Sequence, residues 1–567
     1  MVSERNTCVR LAALCLLALT TFGCGTQPKP GPEQPYWVDN DRKSFPEPES
    51  RDPVLAWVST DRTGFVQALE LADLDRDFRV LFNKRKEAGN INSMDEVPNS
   101  SWFTNRHGMN PLTPEEIRRG VALTDGPDTS GTWILSRPKV GGATPGFWIT
   151  DSRGDTYIIK FDPPDNPELA TAASAMASRY LRACGYNVPQ ETIVYWRPDR
   201  IVIKEGVKCR DVDGITRLFT SEKLNNILAD IRRTPDGLIR SSASLLIPNA
   251  KGPFSYYGRR RDDPNDWLPH QDRRELRGLY VVGSWVNHYD LKDHNTLDGF
   301  VETEPGRGYL KHYLIDFGST FGADGDGVKH PRKGYANWFD LRDALVSTFT
   351  IGLKRWDWEK AKGIQHPSIG YFESDLFQPN KFDPIVPNPA FENLTARDAF
   401  WGAKIVMAFR DEHIRALVES GEYSDPAAAE YLFRTLKKRR DKIGRHWFSK
   451  VNPVDDFSLS AADGTMRIRF ADLSVKYGLT DASTARYNYQ TLYNGRTIAA
   501  GRDLSATELA IGTSELDQMV SAFDGKEHLY EIELLSRHAG GASSSPTTLW
   551  LWFTPESRDW KLVGISR

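Results

Sequence analysis

The chain is poor in cysteine: five in 567 residues, three of them within the first 24. That excludes a disulfide-built scaffold. Its His and Cys residues nowhere stand at zinc-binding spacing, which argues against a structural zinc centre. Charge of one sign is also missing. The formal net charge is -3, so the basic excess that marks a nucleic-acid partner is absent and no such partner is expected. Past the N-terminal stretch, no apolar run is long enough to span a bilayer. No internal repeat stands out.

What is present is core-forming material. Hydrophobic residues make up 39% of the chain, with 16 Trp, 27 Phe and 20 Tyr. A chain of this length is expected to divide into two or three domains. The N-terminus reads as a secretion signal: Arg5 and Arg10 precede an apolar run from Leu11 to Phe22, closed by Gly23-Cys24. This layout resembles a bacterial lipoprotein signal, although Thr21 and Phe22 depart from that family's preferred residues. The resemblance implies that Cys24 is lipidated and becomes the mature N-terminus. It places the protein in the cell envelope, anchored to a membrane on the outer-membrane, periplasmic or surface side. The alternative is plain secretion with cleavage nearby. Residues 25–52 are Pro-rich and polar and read as a tether. Residues 53–130 read as an N-terminal extension in which Trp102 and Phe103 are expected to pack.

From residue 131 the pattern becomes strand-like. A Gly-rich crossing with Gly141, Gly142 and Gly146 leads to a strand ending in Lys160. Glycines let backbone N–H groups approach phosphates, and a lysine within an apolar strand needs an anionic partner. A helix opens near Pro167-Glu168, continues through Leu169, Ala173, Met176 and Tyr180, and stops at Gly185. Thr192–Trp196 and Arg200–Lys204 read as a hairpin. Arg259-Arg260-Arg261-Asp262-Asp263 reads as a solvated surface loop or, alternatively, a meeting point for an acidic acceptor. Cys184 and Cys209 are either a pair or two separate buried thiols.

The densest chemistry lies between His288 and Gly318. His288-Tyr289-Asp290-Leu291-Lys292-Asp293-His294-Asn295 is followed by an alternating, hairpin-like segment and then Ile315-Asp316-Phe317-Gly318. Two carboxylates and an amide in this order suit phosphoryl transfer. One carboxylate orients or deprotonates an acceptor hydroxyl, while the amide oxygen and the second carboxylate hold metal ions that bridge ATP phosphates. The stretch resembles the catalytic and metal-binding loops of the protein-kinase superfamily. The close approach of Glu168 to Lys160 along the chain is similar to HipA-type and secreted kinase-like families.

The resemblance implies Mg-ATP as cofactor. It also implies roles: Asp290 as base, Lys292 steadying the transferred phosphate, Asn295 and Asp316 as metal ligands, Lys160 on the nucleotide phosphates and Glu168 as its partner. Tyr289 stands where many kinases have Arg, the usual Gly-x-Gly-x-x-Gly spacing is missing, and no Ala-Pro-Glu closure follows Gly318. His294 is expected to be structural.

The expected fold class is α+β. A two-lobed kinase-like domain at 131–455 (small lobe about 131–215, helical lobe about 216–455) precedes a C-terminal β-sandwich of Ig-like size at 456–567, where the hydrophobic period changes to two. The leading function is an extracytoplasmic, lipid-anchored phosphotransferase acting on an unknown acceptor. The alternatives are a catalytically inactive kinase-fold surface lipoprotein that works as a binding or scaffold protein through its β-domain, and nucleotidyl transfer.

Overall fold

The computed structural model describes residues 30–31, 37–51, 85–139, 146–210, 215–337, 346–462, 464–538, 541–542 and 545–567. Gly141, Gly142, Cys24 and the signal segment lie outside the described residues.

A small lobe is built on a six-stranded sheet. Its strands are β1 (Trp133–Lys139), β2 (Gly146–Thr150), β3 (Thr156–Lys160), β4 (Glu191–Trp196), β5 (Ile201–Ile203) and β6 (Ile239–Leu245), in the order β4-β6-β3-β2-β1-β5. Every neighbouring pair is antiparallel except β1 with β5, which is parallel. The expected hairpin of Thr192–Trp196 with Arg200–Lys204 is therefore corrected. These two segments lie on opposite edges of the sheet, and the partner of β4 is β6, a strand whose run of small serines gave little local β signal. Trp133, Leu135, Phe147, Ile149, Tyr157 and Ile159 form one buried core with Leu224 and Leu228 of helix α2 (Ser221–Ala229). Between β3 and β4 runs helix α1 (Leu169–Cys184), almost wholly buried.

The helical body is formed by α3 (Arg274–Trp285), α4 (Ala396–Ala408), α5 (Asp411–Glu419) and α6 (Pro426–Phe448). Thr395 caps α4 through a box with Asp398, and Asp425 with Pro426 starts α6. The basic run Lys437–Arg440 does not end α6, which continues to Phe448. Arg439 is instead buried and donates to the carbonyls of Trp285, Ser284 and Glu373. Trp102, Phe103 and Ile117 belong to this body's core. Trp102 stacks on His312 with ring centroids 3.5 Å apart, and the Arg273 guanidinium lies 4.6 Å from its ring.

The loop at 259–263 is solvated at Arg259, Arg261 and Asp262, as expected, but not at Arg260 or Asp263. The Arg260 side chain is fully buried and reaches the Asp298 carboxylate at 2.8 Å. Cys184 and Cys209 are both buried and are not joined in a disulfide.

The C-terminal part is antiparallel throughout. One sheet has the order β7-β8-β11 over Val454–Ala462, Thr465–Asp472 and Glu508–Ile511. The other has the order β10-β9-β12-β13-β14 over Arg496–Leu504, Arg486–Tyr493, Leu529–His538, Thr547–Thr554 and Asp559–Ser566, with the short strand Gly541–Ala542 beside β12. Alternation buries Tyr530, Ile532 and Leu534, and Leu549, Leu551 and Phe553, in a core of their own. The molecule is thus an α+β body of two lobes followed by an antiparallel β region, the class expected from the sequence.

Candidate active site

Lys160 is the last residue of β3. It pairs with Gly146 on one side and Ser242 on the other. Gly146 is required by packing: a Cβ there would lie 2.4 Å from the Ile159 carbonyl oxygen. Lys139, the last residue of β1, faces Gly146 across the sheet. Two lysines therefore stand at one end of the sheet, on either side of a glycine.

The acids arrive from the helical body. Helix α3 ends at Trp285, and the chain turns through Asn287, whose φ of 49° is left-handed, into His288 and Asp290. The Asn295 side-chain amide donates to the Asp290 carbonyl at 2.7 Å and to its carboxylate at 2.8 Å. Lys292 lies 2.7 Å from the other Asp290 oxygen. Asn295 then opens an antiparallel hairpin, Thr296–Glu304 with Arg307–Leu314, in which Thr296 pairs with Leu314. Asp316 follows with φ of 61°, a left-handed conformation that a non-glycine residue adopts only under constraint. Phe317 is buried and meets the His288 ring edge to face.

The two halves meet in a cleft of about 580 Å³, lined among others by Lys139, Lys160, Asp290, Lys292, Asn295 and Asp316. This volume lies within the range of ligand pockets. The Lys160 ammonium is 2.7 Å from the Asp316 carboxylate. Burial opposes the charge on Lys160, but Asp316, Glu191 and Asp290 more than offset it and hold the ammonium protonated. Burial also opposes ionisation of Asp316, and Lys160, Lys139 and Lys292 together hold its carboxyl well below the usual range. Burial, then the neighbouring charge of Lys160, depresses Lys139. His288 is buried with no hydrogen-bond partner on either ring nitrogen, and burial pushes it down to about 4.

Of the expected site residues, the cleft brings together Lys160, Asp290, Lys292, Asn295 and Asp316. Glu168 is not with them: its carboxylate accepts from the Ser424 amide at 3.0 Å. The buried acid beside Lys160 is Glu191, at the start of β4, pushed upward by burial and held back by Lys160. Glu168 caps α1 in a left-handed conformation (φ 68°), which turns it away from the strand. Sequence reading missed Glu191 and Lys139. The only local signals were a glutamate opening an apolar strand and a lysine directly before the glycine-rich stretch. Asp324 was also missed. It lines the cleft, takes a hydrogen bond from the Tyr289 hydroxyl and pairs with Lys333. Tyr289, at the position of the expected arginine, thus ties the segment after Phe317 to the loop before Asp290.

One carboxylate and one amide oxygen are hard donors of the kind Mg²⁺ accepts, and Asp316 is held ionised by its lysine neighbours. Among the described residues, no group of three or more His, Cys, Asp or Glu side chains makes a metal cage. A metal here would need further ligands from a bound phosphate or water.

No protein-family model matches the chain, and no curated protein matches it. Among solved structures, the chain is similar to the Golgi casein kinase (10% identity, 57% of this chain and 71% of that one, TM-score 0.26). It is similar to the Helicobacter pylori proinflammatory kinase CtkA (9% identity, 56% and 98%, TM-score 0.27). A Golgi casein kinase structure with Mn/ADP bound gives 10% identity, 73% and 94%, and a TM-score of 0.27. At such scores the likeness carries no argument about this chain, and the functional reading rests on the cleft.

Proposed function

We propose that residues 131–455 form a kinase-like domain that binds Mg-ATP in the cleft and transfers a phosphoryl group to an acceptor hydroxyl. The observation that carries this reading is the ion pair of Lys160 with Asp316 at 2.7 Å, set against the Asp290–Asn295 pair on the facing loop. It joins a strand lysine to the acid of the Asp-Phe-Gly triplet. Bound between the lobes, the metal would neutralise phosphate charge, with Asp316 and Asn295 as its protein ligands. Lys160 and Lys139 bring positive charge to the phosphates from the sheet side. Asp290, held by the Asn295 amide, orients the acceptor hydroxyl and takes its proton, while Lys292 stays close enough to steady the transferred group. Glu191 holds Lys160 in its charged form. Gly146 permits the close approach of chain at the sheet end.

The reading extends to location: the Leu11–Cys24 signal supports an extracytoplasmic, lipid-anchored protein of the cell envelope. In chemical principle the hydroxyl of a protein, sugar, lipid or small molecule could serve as acceptor.

The test is a thermal melt with and without Mg-ATP, beside Asp316→Ala. A ligand at about 100 times its Kd adds about 2.7 kcal/mol of stability. A shift that the variant loses supports the reading. No shift in either protein overturns it and leaves the second reading, a scaffold acting through its β region.

A further inference from the structure

The segment from Val346 to Lys362 presents an unusual surface. Phe349, Ile351 and Leu353 are 83%, 87% and 85% exposed at alternate positions. Three large apolar side chains exposed within five residues are costly in a way that single exposed leucines are not. Lys354 and Arg355 follow at once, then Trp356 and Trp358, with the Lys354 ammonium 5.7 Å from the Trp356 ring. Two acids interrupt this run, and both are engaged. Asp357 pairs with Lys360 and Lys381, each at 2.9 Å, and the Glu359 carboxylate accepts from the Trp356 amide at 3.1 Å.

Beside this segment is a cavity of about 290 Å³. Lys360 and Lys362 stand on one wall, Arg434 and Lys438 of α6 on the other. Glu373 and Asp375 also line it, and three of the four cations are paired: Lys360 with Asp357, Lys362 with Asp375 at 3.7 Å and Arg434 with Glu430 at 2.8 Å. The buried Tyr371 hydroxyl lines the same cavity and has no hydrogen-bond partner.

We propose that this face seats on an anionic phospholipid surface. Phe349, Ile351 and Leu353 enter the interfacial region, Trp356 lies at headgroup depth while Trp358 packs on His330, and the basic cavity receives a headgroup phosphate. An apolar tip alone would also fit a protein partner. A tip followed directly by basic residues and a tryptophan fits a charged interface between water and hydrocarbon. A second copy of this face is disfavoured because it would oppose like charge with like charge. No helix among the described residues is long and apolar enough to cross a membrane, so the contact is peripheral. This inference stands whether or not the cleft transfers phosphate.

Because the protein is also expected to reach membranes through a lipid on Cys24, binding by itself is not the readout. The experiment is hydrogen exchange of the full chain, resolved by segment, on vesicles of phosphatidylcholine alone and with phosphatidylglycerol added. Each basic residue near an anionic surface adds about fivefold to binding. Amides of 346–358 should therefore exchange at least about fivefold more slowly on the anionic vesicles than on the neutral ones. The surface variant Phe349→Ser/Ile351→Ser/Leu353→Ser should lose this protection while the protein stays vesicle-bound. Arg434→Ala/Lys438→Ala should weaken the preference for the anionic lipid. Unchanged exchange at 346–358 in vesicle-bound protein overturns the proposal, as does equal protection on both lipids. Protection that grows with protein concentration in the absence of vesicles also overturns it, in favour of an interface between copies.

Discussion

The Lys160 ammonium and the Asp316 carboxylate are 2.7 Å apart although 156 positions separate them in the chain. One is fixed by a strand register and the other by the end of a hairpin, so the pair reports how firmly the two lobes are docked. A double-mutant cycle of Lys160→Met and Asp316→Asn is expected to give a coupling of about 0.5–3 kcal/mol, as for residues in direct contact. Chemical denaturation of the four proteins measures it. A coupling near zero would mean that the lobes are not closed in solution.

Glu191 and Glu168 separate two accounts of the lysine's partner. Glu191→Gln removes the buried carboxylate beside Lys160 and is expected to weaken Mg-ATP binding roughly tenfold, the effect of about 1.4 kcal/mol. Glu168→Gln disturbs only the contact with the Ser424 amide and should leave nucleotide affinity unchanged. Titration calorimetry on both variants decides between them, and the reverse order would restore Glu168 to the site.

His288 is neutral when folded because burial holds it down to about 4, against an unfolded value near 6.5. Between these values the unfolded chain binds more protons, so stability from this group is present above about pH 6.5 and is lost as pH falls toward 4. Asp39 and Asp263, pushed up to about 6 chiefly by burial, act in the opposite sense over much of the same range. The His288 contribution is therefore read as a difference. His288→Gln should show a flatter dependence of the denaturation midpoint on pH between 6.5 and 4 than the parent. An equal slope in both proteins would show that the imidazole is solvated.

The β region is joined to the helical body by buried charge. Asp95 meets Arg274 at 2.7 Å, Arg397 at 2.9 Å and Arg567 at 3.1 Å. Arg567 also reaches Asp455 at 2.6 Å and lies over the Phe400 ring. Arg567→Ala leaves both carboxylates with other cations, so the expected loss is about 1–3 kcal/mol, typical of a charged hydrogen bond. Calorimetry should show the β region melting ahead of the body in the variant. One unshifted transition would mean that the join is made elsewhere.

What could be read from the sequence was what is encoded locally. Asp290, Asn295 and Asp316 stand close together along the chain, and their motifs appear in the cleft as expected. Thr395 with Asp398 and Asp425 with Pro426 are local capping pairs of the kind that a sequence carries openly. The alternation at Tyr530–Leu534 and Leu549–Phe553 gave strands. Contacts made by distant residues were hidden. Glu191 meets Lys160 only because β6 intervenes between their strands, and no spacing records that. Arg260 sits in a run of charge that looks solvated until Asp298 closes over it.

A single antiparallel hairpin joins Asn295 to Asp316. Its paired rungs work as a calliper, holding two site residues at its open end while its tip near Gly306 points away from them. Residues added at the tip would leave the jaw setting untouched. A single residue inserted within either strand would shift the register and turn one jaw to the opposite face. Variation in length among natural forms of this chain should therefore collect at the tip and be absent from the rungs.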